Sequence, residues 1–284
     1  MLFPSHARTL SIIRFLHAVG PLPRRRRVPR QQQPDLIRAE YYKAILPFVA
    51  LAQRMFARER NEIIRLLEAE RRAQGKMDAG DGAKRARELI DRASRRAATA
   101  LEPREMKAVA LKFGKRTSEH QRRELDKQVR AAVSVSLSMI EKPITDKLEG
   151  FAALNVDLIK SVNERYFDRI RLDVQEAFSS GMHPSTLAEL FVERDGMAEN
   201  DAMRIARDQI GKLNAQLNEE RQQAMGLTGY TWRTANDSRV RDEHDARDGE
   251  HFEWDDPPED GHPGEPIQCR CYAEPDFSPV IDDL

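Results

Sequence analysis

The chain has 284 residues, of which 33% are charged, 40% hydrophobic and only 6% aromatic, and 47 basic side chains balance 47 acidic ones. This length allows one or two domains with a buried core. No window offers the roughly 18 apolar residues of a transmembrane helix, so we expect no membrane partner. Few aromatics beside abundant Ala, Glu, Arg and Leu favour helices over a β-sandwich or barrel. Two cysteines exclude a disulfide scaffold.

The zero net charge hides a strong asymmetry between the two ends. Residues 1–34 contain seven arginines and no acid, which gives a charge of +7. Residues 235–284 carry a net charge of −12, and the middle of the chain carries +5. Ends of opposite sign predict different partners at the two ends.

The first 34 residues predict a basic, flexible arm. Its apolar stretch at 10–19 precedes the arginine run, which is the wrong order for a secretory signal peptide. We expect the arm to contact a DNA phosphate backbone or an acidic protein surface, although a simple solvated tail is an equal alternative because charge alone does not choose a partner. The candidate contact residues are Arg24, Arg25, Arg26, Arg27 and Arg30.

A helical region is predicted over residues 35–150. Apolar residues recur at helical spacing over 35–73, with a kink expected at Pro47. Three glycines within 74–82 predict a break. The arginine-rich stretch 83–100 is strongly helix-forming. Its charges are typical of a solvated helix face, and a partner surface is the less favoured alternative.

The remainder of this region combines a helix signal with an alternating pattern. Ser118 to Gln121 fits a capping box, which predicts the start of another helix there. Residues 133–139 alternate as a strand would, but the flanking sequence favours a helix that ends at Pro143.

Three further helices are predicted before the character of the chain changes. Asn155 is a favourable N-cap for a helix over 156–179. Pro184 opens a short helix that is expected to end near Gly196, and residues 198–225 form the clearest helix.

After Gly226 the sequence predicts short strands and loops. Residues 230–234, 252–254 and 271–273 have β-strand character, and the proline-rich stretch 255–266 predicts a loop. The predicted fold is therefore mainly α, with a helical N-terminal and central body and a small α+β C-terminal module at 228–275.

Both cysteines and three of the seven histidines lie in the last sixty residues. Cysteine thiolate and imidazole are the usual ligands of tetrahedral zinc. Cys269 and Cys271 are too close in sequence for an unstrained disulfide, but alternate residues of an extended segment share one face. We predict a zinc site at His244, His262, Cys269 and Cys271, although the spacing is not that of a zinc finger. His251 stands among acids and is predicted to be a solvated surface residue.

A second constellation surrounds Asp237. An enzyme interpretation makes Asp237, His244 and Asp248 a metal or acid–base cluster. The structural interpretation makes them buried ion pairs and a zinc ligand that hold a small module together, and we favour it because no nucleophile or phosphate loop accompanies them. The structural motif comprises Trp232, Asp237, Arg239, Arg241, Asp248 and Gly249.

In this order, these residues resemble the C-terminal signature of the phage head morphogenesis family, the minor head proteins similar to the F protein of phage Mu. The resemblance covers roughly 151–275 and is most specific in its C-terminal third. It rests on Trp232-Arg-Thr234, Asp237-Ser-Arg-Val-Arg241, His244, Asp248-Gly249, His262-Pro-Gly-Glu265 and Cys269-Arg-Cys271.

The resemblance implies that residues 151–284 form a head morphogenesis domain. It further implies a non-enzymatic minor head protein of a tailed phage or prophage, associated with the portal vertex and acting in head assembly or in DNA packaging and ejection. Its partners would be the portal protein, other head proteins and, through the arm, phage DNA. It would be found in the virion head and, during assembly, in the host cytoplasm. A metal-dependent hydrolase or nuclease and a DNA-binding protein are the alternatives.

Overall fold

The computed structural model describes residues 28–73, 81–133 and 144–277. Their secondary structure is five long helices followed by a short helix and three strands. The long helices are α1 (Asp35–Ala73), α2 (Asp81–Ala100), α3 (Pro103–Val133), α4 (Thr145–Ser180) and α5 (Pro184–Ala224). The C-terminal elements are β1 (Gly229–Arg233), α6 (Asp242–Ala246), β2 (His251–Glu253) and β3 (Tyr272–Pro275).

The predicted fold class is confirmed, since a helical body precedes a small α+β module. All three predicted strands are present and form one antiparallel sheet in the order β2-β1-β3. In the described ranges, no helix is long and apolar enough to cross a membrane. Three predicted features lie wholly or mostly outside the described residues: the break at 74–82, the alternating stretch after Val133 and the helix end at Pro143.

Three predicted helix boundaries are wrong, because a continuous helix runs through each of them. Ser118 lies inside α3, where its hydroxyl accepts a hydrogen bond from Nη2 of Arg221 at 2.8 Å. Asn155 lies inside α4 and donates to the carbonyl of Phe151 at 2.8 Å. Gly196 lies inside α5, which continues to Ala224. Tertiary packing therefore overrides the local preference for helix ends.

The chain divides into two compact units that do not follow the predicted domain boundaries. Unit 1 comprises Met1–Arg38, Lys112–Glu149 and Arg207–Leu284, as far as these ranges are described. Unit 2 comprises Ala39–Leu111 and Gly150–Ala206. The predicted boundary between residues 150 and 151 falls within α4.

In unit 1, residues 28–34 are held against α3 and the C-terminal module. The backbone N–H of Gln32 donates to Glu124 at 2.9 Å, and the side chain of Gln33 donates to the carbonyl of Arg270 at 3.1 Å. The guanidinium of Arg30 lies 2.7 and 3.0 Å from the side-chain amide of Asn236. This part of the predicted arm is thus bound to the protein itself, while the run at 24–27 lies outside the described residues.

Unit 2 has an aromatic core with a partly buried ion pair beside it. The ring of Phe56 packs edge-on against Phe191, with centroids 4.9 Å apart, and against Tyr166 at 6.1 Å. Beside these rings Arg60 donates to Asp195 at 2.7 Å, and the hydroxyl of Tyr166 donates to the other oxygen of Asp195 at 2.8 Å. One carboxylate therefore satisfies two partly buried donors from different helices.

Replacing Asp195 should destabilise unit 2. Asp195→Ala leaves the Arg60 guanidinium and the Tyr166 hydroxyl without their acceptor, and we expect a loss of about 2–3 kcal/mol in the free energy of unfolding. Urea denaturation followed by circular dichroism measures it. Asp168→Ala is the control, since exposed Asp168 pairs with Arg171 on the same helix and should cost less than about 1 kcal/mol. Equal losses for both variants would contradict the assignment.

Candidate metal centre

One imidazole nitrogen and two sulfurs converge inside the C-terminal module of unit 1. Nδ1 of His244, on α6, lies 3.5 Å from Sγ of Cys269 and 3.5 Å from Sγ of Cys271. The three atoms lie within 4.8 Å of one another, and all three side chains are buried. Of the described residues, these three form the one group of His, Cys, Asp and Glu side chains whose ligand atoms converge in this way.

The turn before β3 places both sulfurs on the same side. Backbone N–H groups of Gly264 and Cys271 each point at Sγ of Cys269 from 3.4 Å. Gly264 has a φ of +99°, and a Cβ atom there would lie 2.4 Å from Cβ of Ala215. Glycine is therefore required at this position, both for the backbone conformation and for the close approach to α5.

The pKa values of the two thiols are shifted in opposite directions. The hydrogen bond from Cys271, supported by the two backbone N–H groups, lowers the pKa of Cys269 to about 6 although burial opposes this. Donating that hydrogen bond, together with burial, raises the pKa of Cys271. Cys269 is thus the thiol that ionises first, and a thiolate is the form that ligates metals.

A carboxylate fixes the orientation of the histidine ring. Nε2 of His244 lies 2.7 Å from Oδ2 of Asp260, and Arg247 donates to Oδ1 of the same carboxylate at 2.6 Å. Burial would raise the pKa of Asp260, but the hydrogen bonds from Arg247 and His244 lower it below its ordinary value. With the Nε2 proton directed at the carboxylate, the lone pair of Nδ1 faces the sulfurs.

The buried indole of Trp232 forms one wall of this group. Its ring meets the His244 ring edge-on at 5.3 Å, and the Arg247 guanidinium stacks 5.1 Å from it. The indole N–H is buried without a hydrogen-bond partner among the described residues, and its proximity to Cys271 offsets part of the rise in the pKa of that thiol.

His262 lies in the same module but outside the converging group. Its Nδ1 is 2.9 Å from the hydroxyl of Tyr230, and its ring packs 5.0 Å from that of Trp254. His251, predicted to be at the surface, is exposed and lies 3.0 Å from Glu253 and 3.0 Å from Asp276.

The carboxylates of the Asp237 constellation are engaged in turn and ion-pair contacts. Asp237 accepts from the backbone N–H of Arg239 at 3.1 Å and forms an ion pair with Arg270. Asp248 accepts from the backbone N–H of Thr234 at 2.8 Å. In the part of the chain that the structure describes, neither carboxylate joins His244 in a group of converging ligand atoms.

The other motif residues also serve the turns of the module. Nη2 of Arg241 donates to the carbonyl of Ile267 at 2.7 Å. Gly249 has a φ of +94°, and its N–H donates to the carbonyl of Trp232 at 2.9 Å. Both contacts join the turns of the module to neighbouring segments.

Sequence reasoning found three of the residues around this centre and missed the fourth. Asp260 is one of several acids in the loop at 255–260, and nothing in its local sequence distinguishes it from its neighbours. Only the folded loop shows which carboxylate reaches the ring of His244.

Fold and site together define a mainly α protein that carries a small α+β module with a buried Cys-x-Cys pair. Residues 168–274 match the family described as "Phage Mu protein F like protein", so the resemblance to Mu F-like head proteins is confirmed over this segment.

A protein of Haemophilus influenzae, described as "Uncharacterized protein", is similar to part of this chain. The two are 38% identical over 141 residues, which is 49% of this chain and 31% of the relative. The match therefore spans about a third of the length of that relative. No solved structure matches the chain significantly.

The contact between Asp248 and Thr234 closes the turn that follows β1. Asp248→Ala leaves the backbone N–H of Thr234 without its acceptor, and we expect it to lower the free energy of unfolding by about 1–3 kcal/mol. Chemical denaturation monitored by tryptophan fluorescence reports on this module because both tryptophans lie in it. Asp245→Ala, an exposed acid on α6, should stay within about 0.5 kcal/mol of the parent protein. A neutral Asp248→Ala variant would contradict the structural role.

Proposed function

We propose that this protein is a minor head protein of a tailed phage or prophage that associates with the portal vertex. It acts there in head assembly or in DNA packaging and ejection. It is found in the virion head and, during assembly, in the host cytoplasm. The observation that carries this proposal is the match of residues 168–274 to the Mu F-like family, which includes the whole module from β1 to β3 except its last residue.

We further propose that the protein works without catalysis. Asp237 and Asp248, the carboxylates that a hydrolase would use, accept hydrogen bonds from Arg239 and Thr234 instead. A hydrolytic metal site needs ligands that open to a substrate cleft. The ligand atoms of His244 and the two cysteines are buried in the core of the module, which favours a structural role.

The distribution of exposed charge supports docking to an acidic protein surface. Helix α2 in unit 2 carries exposed Lys84, Arg87, Arg92 and Arg95, whereas Arg85 and Arg96 on the same helix pair with Glu62 and Glu59. For the four exposed cations the described residues supply no acidic partner. The exposed cations of α2 outnumber its exposed acids, Asp81 and Glu88. An excess of one sign favours a partner of opposite charge, and we propose that the portal protein supplies it.

The basic arm is proposed to act as a second contact. Arg24 to Arg27 form its most concentrated charge, and Arg30 is bound to Asn236 of the module. The described part of the arm, residues 28–34, is therefore fixed next to the C-terminal module. An acidic head protein or the phage DNA is its proposed target.

Co-expression with the cognate portal tests the proposal. The tagged full-length chain should co-purify with the portal protein, and purified heads should contain it. The double variant Arg92→Glu/Arg95→Glu should reduce portal recovery at least about tenfold, a change that corresponds to 1.4 kcal/mol. Its matched control, Lys43→Glu/Arg58→Glu, reverses two exposed cations of the same unit on α1 and should leave recovery unchanged.

Two outcomes would count against the proposal. Absence of the chain from purified heads removes the head assignment. Loss of the complex on nuclease treatment, with recovery that falls steeply as salt rises, would instead favour the DNA-binding alternative, because phosphate contacts release counterions.

A further inference from the structure

We propose that the C-terminal module binds one Zn²⁺ ion through three protein ligands, Nδ1 of His244 and Sγ of Cys269 and Cys271. Asp260 acts as the positioning residue of this site. The ion holds α6, the loop before the cysteines and the start of β3 together. This inference does not depend on the head-assembly proposal.

The distances between the ligand atoms fit a shared zinc ion. Zinc bonds of about 2.3 Å to sulfur and about 2.05 Å to nitrogen, at tetrahedral angles, place nitrogen and sulfur about 3.6 Å apart. Nδ1 of His244 lies 3.5 Å from each of the two sulfurs. One ion can therefore reach all three atoms with little movement of the side chains.

The surroundings of the sulfurs fit thiolates better than neutral thiols. A neutral thiol is a weak acceptor, whereas a metal-bound thiolate carries negative charge and is commonly stabilised by N–H donors. Gly264 and Cys271 direct backbone N–H groups at Sγ of Cys269 from 3.4 Å. The buried indole N–H of Trp232, beside Cys271, has no other partner among the described residues. A thiolate at Cys271 supplies the acceptor that this buried donor needs.

The carboxylate on the far side of the ring completes the pattern of a metal-bound histidine. Ligating histidines generally donate their other ring N–H to a carboxylate or carbonyl, which fixes the tautomer and the ring orientation. Asp260 accepts from Nε2 of His244 at 2.7 Å, and Arg247 holds the carboxylate from its other oxygen at 2.6 Å. Nδ1 is then the nitrogen that is free to bind the metal.

His262 is not assigned as a ligand, in contrast to the prediction from sequence. Its Nδ1 is engaged with the hydroxyl of Tyr230, and its ring nitrogens do not join the three converging atoms.

Metal analysis of the full-length protein tests the ligand set. After chelator treatment and reconstitution with Zn²⁺, the protein should hold about one zinc per chain and unfold at a higher temperature than the chelated form. His244→Ala, Cys269→Ser and Cys271→Ser should each lose the ion and this stabilisation. His262→Gln and the surface control His251→Gln should retain both.

Two results would overturn the assignment. If the folded parent protein does not take up stoichiometric zinc, the site is excluded. This measurement uses the parent protein alone, so the misfolding of a variant cannot cause a false negative result. If His262→Gln loses zinc as severely as His244→Ala, the site has four protein ligands instead of three.

X-ray absorption at the zinc edge should find two sulfurs and two lighter ligands.

The role of Asp260 has a separate readout. Asp260→Asn should weaken zinc binding about 10- to 100-fold, because it removes the carboxylate that orients the imidazole. It should also shift the visible bands of the Co²⁺-substituted protein, which a purely structural residue would leave in place. Asp256→Asn, an exposed acid of the same loop, is the matched control and should change neither. Unchanged affinity and spectrum in Asp260→Asn would refute the positioning role.

Discussion

The convergence of one imidazole and two sulfurs in the C-terminal module depends on the Cys-x-Cys spacing, in which a single residue separates Cys269 from Cys271. That spacing directs both sulfurs to one side of the chain, where His244 on α6 meets them. The module is small, with strands of five, three and four residues. So few backbone pairs do not stabilise a sheet alone, and side chains that link separate segments must supply the remaining stability.

The module also depends on the helices of its own unit. The carbonyl of Ala273, on the edge strand β3, accepts hydrogen bonds from Asn218 at 2.7 Å and from Gln222 at 2.9 Å. Gln121 on α3 donates to the side chain of Asn218 at 2.8 Å, and Arg221 on α5 bonds back to Ser118. Helix side chains thus cover an edge that would otherwise expose unpaired backbone groups. The sequence segment 228–275 is therefore one part of a larger folded unit.

Charged residues serve two different purposes in this protein. Inside the units, arginines satisfy carboxylates and carbonyls, as Arg60 does with Asp195 and Arg221 with the carbonyl of Ser118. On α2, exposed Lys84, Arg87, Arg92 and Arg95 have no such partner among the described residues. A net charge near zero for the whole chain conceals this separation between internal and outward-facing cations.

The sequence by itself determined the helical class, the three short strands and the cysteines and histidine of the candidate centre, because periodicity and residue chemistry are local properties. Only the tertiary structure decided that helices continue through Ser118, Asn155 and Gly196, since side-chain contacts from distant segments outweigh a local capping preference. It likewise selected Asp260 over its acidic neighbours and paired His262 with Tyr230. Those choices depend on how a loop folds back on the module, and residue type and spacing carry no information about that path.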